Sequence, residues 1–201
     1  MGHQKIKNII LPFLFLSFAV GYGQIEYPDS FIKLLDFEYD DIINNNVKNI
    51  PDGRYYKTKY SNENVLMEIE VTGYKNQKKH GESLTFLKGL ESMFIAKVVN
   101  YKNDVMNGYY FESDNHTYSK EGYYKNGKKQ GVWKIKEAGN VMEVTFKNNL
   151  KSGLFKSNDK TLNIKEFGKH KKDKKEGVWL IEDTSIGQVT KEVYKDGVLI
   201  K

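Results

Sequence analysis

Residues 122–135 read GYYKNGKKQGVWKI, and this stretch holds one full copy of a pattern that recurs along the chain. An aromatic residue, Tyr124, comes first, Gly131 follows seven residues later, and Trp133 comes two residues after that glycine. Glycines in the same setting recur every 22 to 28 residues between positions 53 and 177. A fixed period of this size indicates a repeat architecture, in which each copy packs on its neighbours.

The other copies vary this pattern in two places. Gly81 is followed by Glu82, Ser83 and Leu84, so the second copy lacks its aromatic residue. Counted from glycine to glycine, the fifth copy begins at Gly153, and the ring that leads the next glycine is assigned to Phe167. It stands ten residues before Gly177, which implies a lysine-rich insertion between the two. The residues predicted to define the repeats are Gly53, Tyr55, Tyr74, Gly81, Tyr101, Gly108, Tyr110, Tyr124, Gly131, Trp133, Phe146, Gly153, Phe155, Phe167, Gly177, Trp179 and Tyr194.

The repeats are expected to be β-hairpins. Prolines occur only at 12, 28 and 51, and a proline-free region suits a continuous ladder, because proline has no N–H to donate. Asn, Asp, Gly and Ser cluster where hairpins reverse, as at 61–64 and 157–159. We therefore expect an all-β fold: an elongated antiparallel β-meander of about six hairpin repeats over 52–201. The expected sheet is a single twisted layer, wetted on part of both faces, with a ladder of aromatic rings.

The N-terminal region differs from the repeats. Lys5 and Lys7 precede an apolar run at 9–20, and Gly21 and Gly23 put small residues before a cut at 23, which predicts a signal peptide over 1–23. Residues 24–51 form a predicted cap segment. Apolar residues at helical spacing predict a helix at 30–43 within this segment. The expected role of the helix is to cover the open end of the repeat stack. The apolar residues are Phe31, Leu34, Leu35, Tyr39, Ile42 and Ile43.

The repeats resemble a known family. GYYKNGKKQGVWKI at 122–135 and KKDKKEGVWLI at 171–181 are similar to the MORN-variant repeats of bacterial proteins labelled YwqK-type antitoxins. The resemblance covers roughly 52–201. It implies an elongated antiparallel meander of successive hairpins and a role in scaffolding, protein contacts or membrane-lipid contacts.

Charge is distributed unevenly between the two sides of the predicted stack. The segments assigned to one side (75–80, 102–107, 125–130, 147–152, 168–176 and 195–197) hold fifteen lysines and four acidic residues, whereas the opposite turns are net acidic. A basic rim can steer an anionic partner, although lysines at such sites also serve solubility alone. The residues predicted to form an edge for an anionic partner are Lys78, Lys79, Lys128, Lys129, Lys151, Lys171, Lys172, Lys174 and Lys175.

Several classes of function find no support in the residues. There is no nucleophile motif and no phosphate-cradling glycine loop, so we expect neither an enzyme nor a cofactor. The chain has no cysteine, and His116 with Glu112 and Asp114 is a weak metal set explained by turn polarity. The carboxylates at 36–41 fit a solvated helix face. Arg54 is the only arginine, which argues against nucleic acid as a partner.

These observations favour an exported, non-enzymatic repeat protein that binds a protein partner of unknown identity, as a scaffold or in an antitoxin- or immunity-like role. The alternative is a module that binds an envelope glycan or an anionic lipid surface through the aromatic ladder and the lysine-rich edge. The predicted location is periplasmic, outer-membrane-associated or secreted, and the oligomeric state is left open.

Overall fold

A computed structural model describes residues 52–201, which are the predicted repeat domain. The predicted signal peptide and the predicted helix at 30–43 lie outside these residues. No helix occurs within the described part, so none there is long and apolar enough to cross a membrane.

The described chain folds into one sheet of thirteen strands. They follow one another in chain order, each antiparallel to the next, which confirms the predicted all-β meander. The strands are β1 (Gly53–Tyr60), β2 (Leu66–Lys75), β3 (Lys78–Lys88), β4 (Met93–Lys102), β5 (Val105–Ser113), β6 (Tyr118–Lys125), β7 (Lys128–Glu137), β8 (Asn140–Lys147), β9 (Leu150–Asp159), β10 (Ile164–Lys171), β11 (Lys174–Asp183), β12 (Gln188–Lys195) and β13 (Val198–Leu199).

The connections on one long edge of this sheet are uniform. Six two-residue turns, at 76–77, 103–104, 126–127, 148–149, 172–173 and 196–197, join each even-numbered strand to the next strand. All twelve turn residues have φ between 50° and 87°. Turns with two positive φ angles match the right-handed twist of the strands they join, and Asn, Asp and Gly adopt them most readily. We call these turns and their flanking lysines the basic edge.

The connections on the other long edge are less regular. They lie at 61–65, 89–92, 114–117, 138–139, 160–163 and 184–187. The predicted division into a lysine-rich side and an acidic side therefore coincides with the two edges of the sheet. The predicted insertion in the fifth copy is wrong, because Lys172 and Asp173 form a two-residue turn like the other five.

Each of the first five hairpins of the basic edge contains a β-bulge a few residues after its turn. The repeat glycines at 81, 108, 131, 153 and 177 lie in these bulges, inside strands rather than in loops. Their φ angles alternate between two values along the sheet: 81°, 72° and 72° at Gly81, Gly131 and Gly177, but 125° and 127° at Gly108 and Gly153. The structural repeat therefore spans two hairpins, which is twice the period visible in the glycines.

The core consists of two clusters on opposite faces. Thr72 pairs with Ser83 and Val99 with Tyr110, and these residues share the face that carries most of the repeat rings, which we call the aromatic face. The neighbouring pair Val71 and Leu84 points to the other side, the back face, with Ile69, Phe86 and Met93. In the degenerate second copy, Ser83 takes the place of a ring, and its Oγ lies 2.8 Å from Thr72 Oγ1.

Candidate functional site

The repeat rings form a column across the aromatic face. The Trp133 ring lies 5.6 Å from Tyr110, 5.1 Å from Tyr124 and 6.2 Å from Phe146, measured between ring centroids. Trp179 repeats the arrangement at 5.3 Å from Phe155. Both indole side chains have no exposed surface. Each aromatic pair contributes roughly 0.5–1.5 kcal/mol beyond its buried area, so the column is a large part of the core.

The remaining repeat residues extend or interrupt this column. Tyr55 and Tyr74 pair edge-to-face at 5.5 Å near the first edge strand, and Gly53 lies opposite Tyr74 in the ladder. Tyr101 packs against the cluster from β4, and Tyr194 reaches Trp179 at 6.3 Å from β12. The predicted ladder of rings is therefore present across most of the sheet.

Phe167 does not belong to the column. It pairs with Leu180, points to the back face and is 43% exposed. His170 occupies the place of the missing ring, 5.2 Å from Phe155 and 5.0 Å from Trp179. His170 stands seven residues before Gly177, which is the spacing of the other copies. Burial, followed by the charges of Lys151 and Lys175, lowers the pKa of this histidine below its ordinary value.

Two glycines outside the predicted repeat residues lie directly beneath the tryptophan rings. Gly122 lies on β6 beneath the Trp133 ring, and Gly168 lies on β10 beneath the Trp179 ring. A Cβ at either position would stand 2.3 Å from Cδ2 of the indole, so only glycine lets the ring lie this close to the backbone. The available signal was the spacing, since each of these glycines precedes its tryptophan by eleven residues.

The nine lysines predicted to form one edge divide into two sets. Lys129 Nζ lies 4.8 Å from the centroid of Trp133 and 4.9 Å from Phe146, and Lys175 Nζ lies 4.2 Å from Trp179. Lys79 contacts Tyr101 in the same way at 5.4 Å. Lys151 pairs with Phe146 across the ladder and joins this aromatic-face set. Lys79, Lys129 and Lys175 lie over the rings and gain cation–π attraction.

The other set, Lys78, Lys128, Lys171, Lys172 and Lys174, is exposed at the turns. A lysine also precedes every one of the six turns, at 75, 102, 125, 147, 171 and 195. At three turns the residue directly opposite is another lysine, giving the pairs Lys75–Lys78, Lys125–Lys128 and Lys171–Lys174. At the three turns between and after them the opposite residue is Val105, Leu150 or Val198. Lysine pairs therefore alternate with lysine–aliphatic pairs.

Neighbouring turns of the basic edge are hydrogen-bonded to one another. The N–H of Lys79 donates to Asp104 Oδ1 at 2.8 Å, and the N–H of Asp104 donates to the Lys79 carbonyl at 2.9 Å. The same two bonds join two other pairs of residues. In each pair the lysine N–H donates to the partner's side-chain Oδ1, and the partner's N–H donates to the lysine carbonyl; the pairs are Lys129 with Asn149 and Lys151 with Asp173. The acceptor carboxylates of Asp104 and Asp173 are thus engaged by backbone, and the edge is a connected row rather than a set of independent loops.

The polar residues considered as a metal set have structural roles in the turn between β5 and β6. Asp114 accepts hydrogen bonds from the N–H groups of His116, Thr117 and Tyr118 and from the Thr117 hydroxyl, and these bonds lower the pKa of its carboxyl. The carboxylate therefore closes the turn between β5 and β6. Within residues 52–201, no three metal-ligating side chains form a cluster. The carboxylates at 36–41 lie outside the described part.

The back face of the C-terminal half carries exposed apolar side chains that sequence reasoning did not single out. Val132, Leu154, Phe167, Val178 and Leu180 are between 40% and 51% exposed, and we call them the back-face patch. Phe167, Val178 and Leu180 line a shallow depression together with Lys169 and Glu176. The signal in the sequence was alternation, since Val132, Val178 and Leu180 each flank a buried tryptophan by one residue.

Comparison of the chain with protein-family models finds no matching family, and no curated protein matches it either.

Proposed function

We propose that this chain is an exported, non-enzymatic repeat protein that binds a protein partner across the back-face patch. The observation that carries the proposal is the patch itself, because exposed apolar side chains gathered on one face of a folded protein commonly mark a protein contact. The patch lies on the central strands β7 to β11, where neighbouring strands already satisfy the backbone. A partner would therefore contact side chains on this face rather than add a strand to it.

The charges around the patch suit a protein surface of mixed sign. Lys134, Glu143 and Lys156 are paired across consecutive strands beside the patch on the same face. A partner with alternating charges would complement this rim, which favours specific orientation more than affinity. The antitoxin- or immunity-like role is the sharper form of this proposal, and the apolar run at 9–20 supports export.

The experiment compares three forms of the protein as bait for envelope proteins. One is the native chain, one carries Val178→Lys and Leu180→Lys, and the control carries Leu162→Lys and Ile186→Lys, two exposed apolar residues outside the patch. We expect a protein that is retained by the native and control forms and lost from the patch variant. Retention by all three forms, or no selective loss, contradicts the proposal, provided that the variants melt like the native chain.

The alternative function is binding of an envelope glycan or of an anionic lipid surface. The two tryptophan rings have no exposed surface, so they do not offer a face on which a sugar would stack. The observation that favours an anionic ligand is a different one, the lysine pairs of the basic edge.

A further inference from the structure

We infer that the basic edge is a binding site for a linear polyanion, meaning a flexible polymer that carries carboxylate or phosphate groups along its length. This inference goes beyond the proposed protein binding and does not rest on it, because the basic edge and the back-face patch share no residue. Its basis is the arrangement of the turn lysines, the scarcity of ion pairs among them within residues 52–201 and the hydrogen bonds that connect the turns.

The arrangement of the lysines is unfavourable for the fold alone. Lys75–Lys78, Lys125–Lys128 and Lys171–Lys174 place like charges directly opposite each other across a hairpin end. Like charges in that position destabilise a strand pair. A soluble edge does not need them, since the turns at Lys102–Val105 and Lys147–Leu150 have one lysine each. Three opposed pairs therefore concentrate positive charge at sites where folding opposes it.

Acidic residues of the described chain form few ion pairs with these lysines. Within residues 52–201, Lys75, Lys78, Lys125, Lys128 and Lys174 form no ion pair, and Lys171 reaches Glu176 only at 4.0 Å. The nearby carboxylates have other partners: Asp104 and Asp173 accept backbone N–H groups of the neighbouring turns, and Glu176 Oε2 accepts the N–H of Asp196 at 2.9 Å. Five of the six paired lysines therefore have no acidic partner among residues 52–201, and all six are exposed.

The turn-to-turn hydrogen bonds hold these ammonium groups in a row. Ten strand intervals separate the first turn from the last, which corresponds to about 48 Å at ~4.8 Å per interval. The three lysine pairs are four intervals apart, or about 19 Å. A row of that length engages several charges of one polymer chain at once, and each engaged charge releases counterions.

The shape of the edge favours a polymer over a membrane. Neighbouring strands of a sheet are rotated by roughly 20–25°, so lysine pairs four intervals apart point in directions that differ by about a quarter of a turn. A flat bilayer would meet one or two pairs at a time. A flexible linear chain follows the edge and meets all three pairs.

The test measures binding of the purified protein to labelled polygalacturonate, to labelled long-chain polyphosphate and to vesicles containing anionic phospholipid. The central variant is Lys125→Gln with Lys128→Gln. The matched control is Lys88→Gln with Lys160→Gln, which removes the same charge from the opposite edge. A second edge variant, Lys75→Gln with Lys78→Gln, guards against a local folding effect at one turn, and thermal melting checks all of them.

We expect at least one polymer to bind, with an affinity that falls steeply as salt is raised and that increases with polymer length up to about the length of the edge. Each edge variant should bind on the order of tenfold more weakly, while the control remains close to native. Binding of polygalacturonate alone identifies carboxylate as the source of charge, and binding of polyphosphate alone identifies phosphate. Equal weakening by the control, binding to vesicles without binding to either polymer, or binding to none of the probes overturns the inference.

Discussion

The indole of Trp133 lies flat against the backbone of Gly122 on the neighbouring strand, so closely that a Cβ on that glycine would stand 2.3 Å from ring Cδ2. Trp179 and Gly168 have the same relationship with the same distance. The two pairs lie four strands apart, which is the two-hairpin repeat also seen in the bulge glycines. A large ring is thus buried completely in a one-layer sheet because a glycine beneath it lets it descend to the backbone, while neighbouring rings and a lysine cover its other sides.

The first prediction concerns this contact. Gly122→Ala should destabilise the protein by about 1–3 kcal/mol, because the new methyl group would force the Trp133 ring away from the backbone and strain its neighbours. Chemical denaturation measures the loss. The matched control is the same substitution in a Trp133→Leu background, where the smaller side chain leaves room for the methyl group.

In that background the cost of Gly122→Ala should shrink, so the double-mutant cycle should show a coupling energy well above about 0.5 kcal/mol. Additive effects of the two substitutions would mean that the glycine is required for some reason other than the ring.

A second prediction separates the two classes of bulge glycine. Gly131 has φ of 72° with open space around it, whereas Gly153 has φ of 127°, and a Cβ there would stand 2.9 Å from Thr145 Cβ. Asparagine adopts the left-handed region near φ of 60° more readily than most residues. Gly131→Asn should therefore cost less than about 1 kcal/mol, and Gly153→Asn clearly more, in the free energy of unfolding. Equal costs would contradict the two-hairpin period.

Much of the fold could be predicted from the sequence, because the repeat period is local. The spacing from Tyr124 to Gly131 to Trp133 is visible in a single copy, and the lysines that flank the turns are visible in all six. The two faces could not be assigned, because each bulge changes which residues of a strand point to a given side. A second reason is that polar residues also occur on the aromatic face. On β12, which pairs with β11 without a bulge, Glu192 shares this face with Tyr194, and the Tyr194 hydroxyl donates to Glu192 Oε2 at 2.7 Å.

The candidate sites were less predictable, because they depend on pairing between strands. The assignment of Phe167, ten residues before Gly177, requires an insertion, whereas His170 stands at the seven-residue spacing of the other copies but is not an ordinary aromatic ring in the pattern. The contact of Gly122 with Trp133 depends on register, which one copy of the pattern does not reveal. The lysine pairs could not be identified from the sequence alone, because two lysines face each other only if the turn between them is two residues long.

A third prediction uses the burial of the tryptophans. Trp133 and Trp179 have no exposed surface, so acrylamide should quench their fluorescence weakly, and neutral saccharides should leave the emission unchanged. A Tyr123→Trp variant supplies the comparison, because Tyr123 is 58% exposed and an indole there should be quenched strongly. Strong quenching of the native protein, or a spectral shift on addition of a saccharide, would return the rings to consideration as a sugar-binding surface.

The last prediction concerns pH. His170 is held among Phe155 and Trp179, and burial together with Lys151 and Lys175 lowers the pKa of its imidazole in the folded state. The unfolded chain has an ordinary histidine pKa of about 6.5, so below that pH the unfolded state binds a proton that the folded state resists. The contribution of His170 to stability should therefore be intact above about pH 6.5 and should decline as the pH falls through 6.5 toward the lower folded pKa.

A His170→Phe variant tests this dependence. It restores the ring found at the equivalent position in the fourth copy, Phe146. It also removes both this titration and an imidazole Nδ1 that has no hydrogen-bond partner among the described residues. Thermal melting at pH 7.5 and pH 5.5 should show a smaller loss of Tm for the variant than for the native protein, and a Tm at pH 7.5 that is higher by about 2–4 °C. Parallel loss of stability in the two proteins on acidification would show that other groups dominate the acid response.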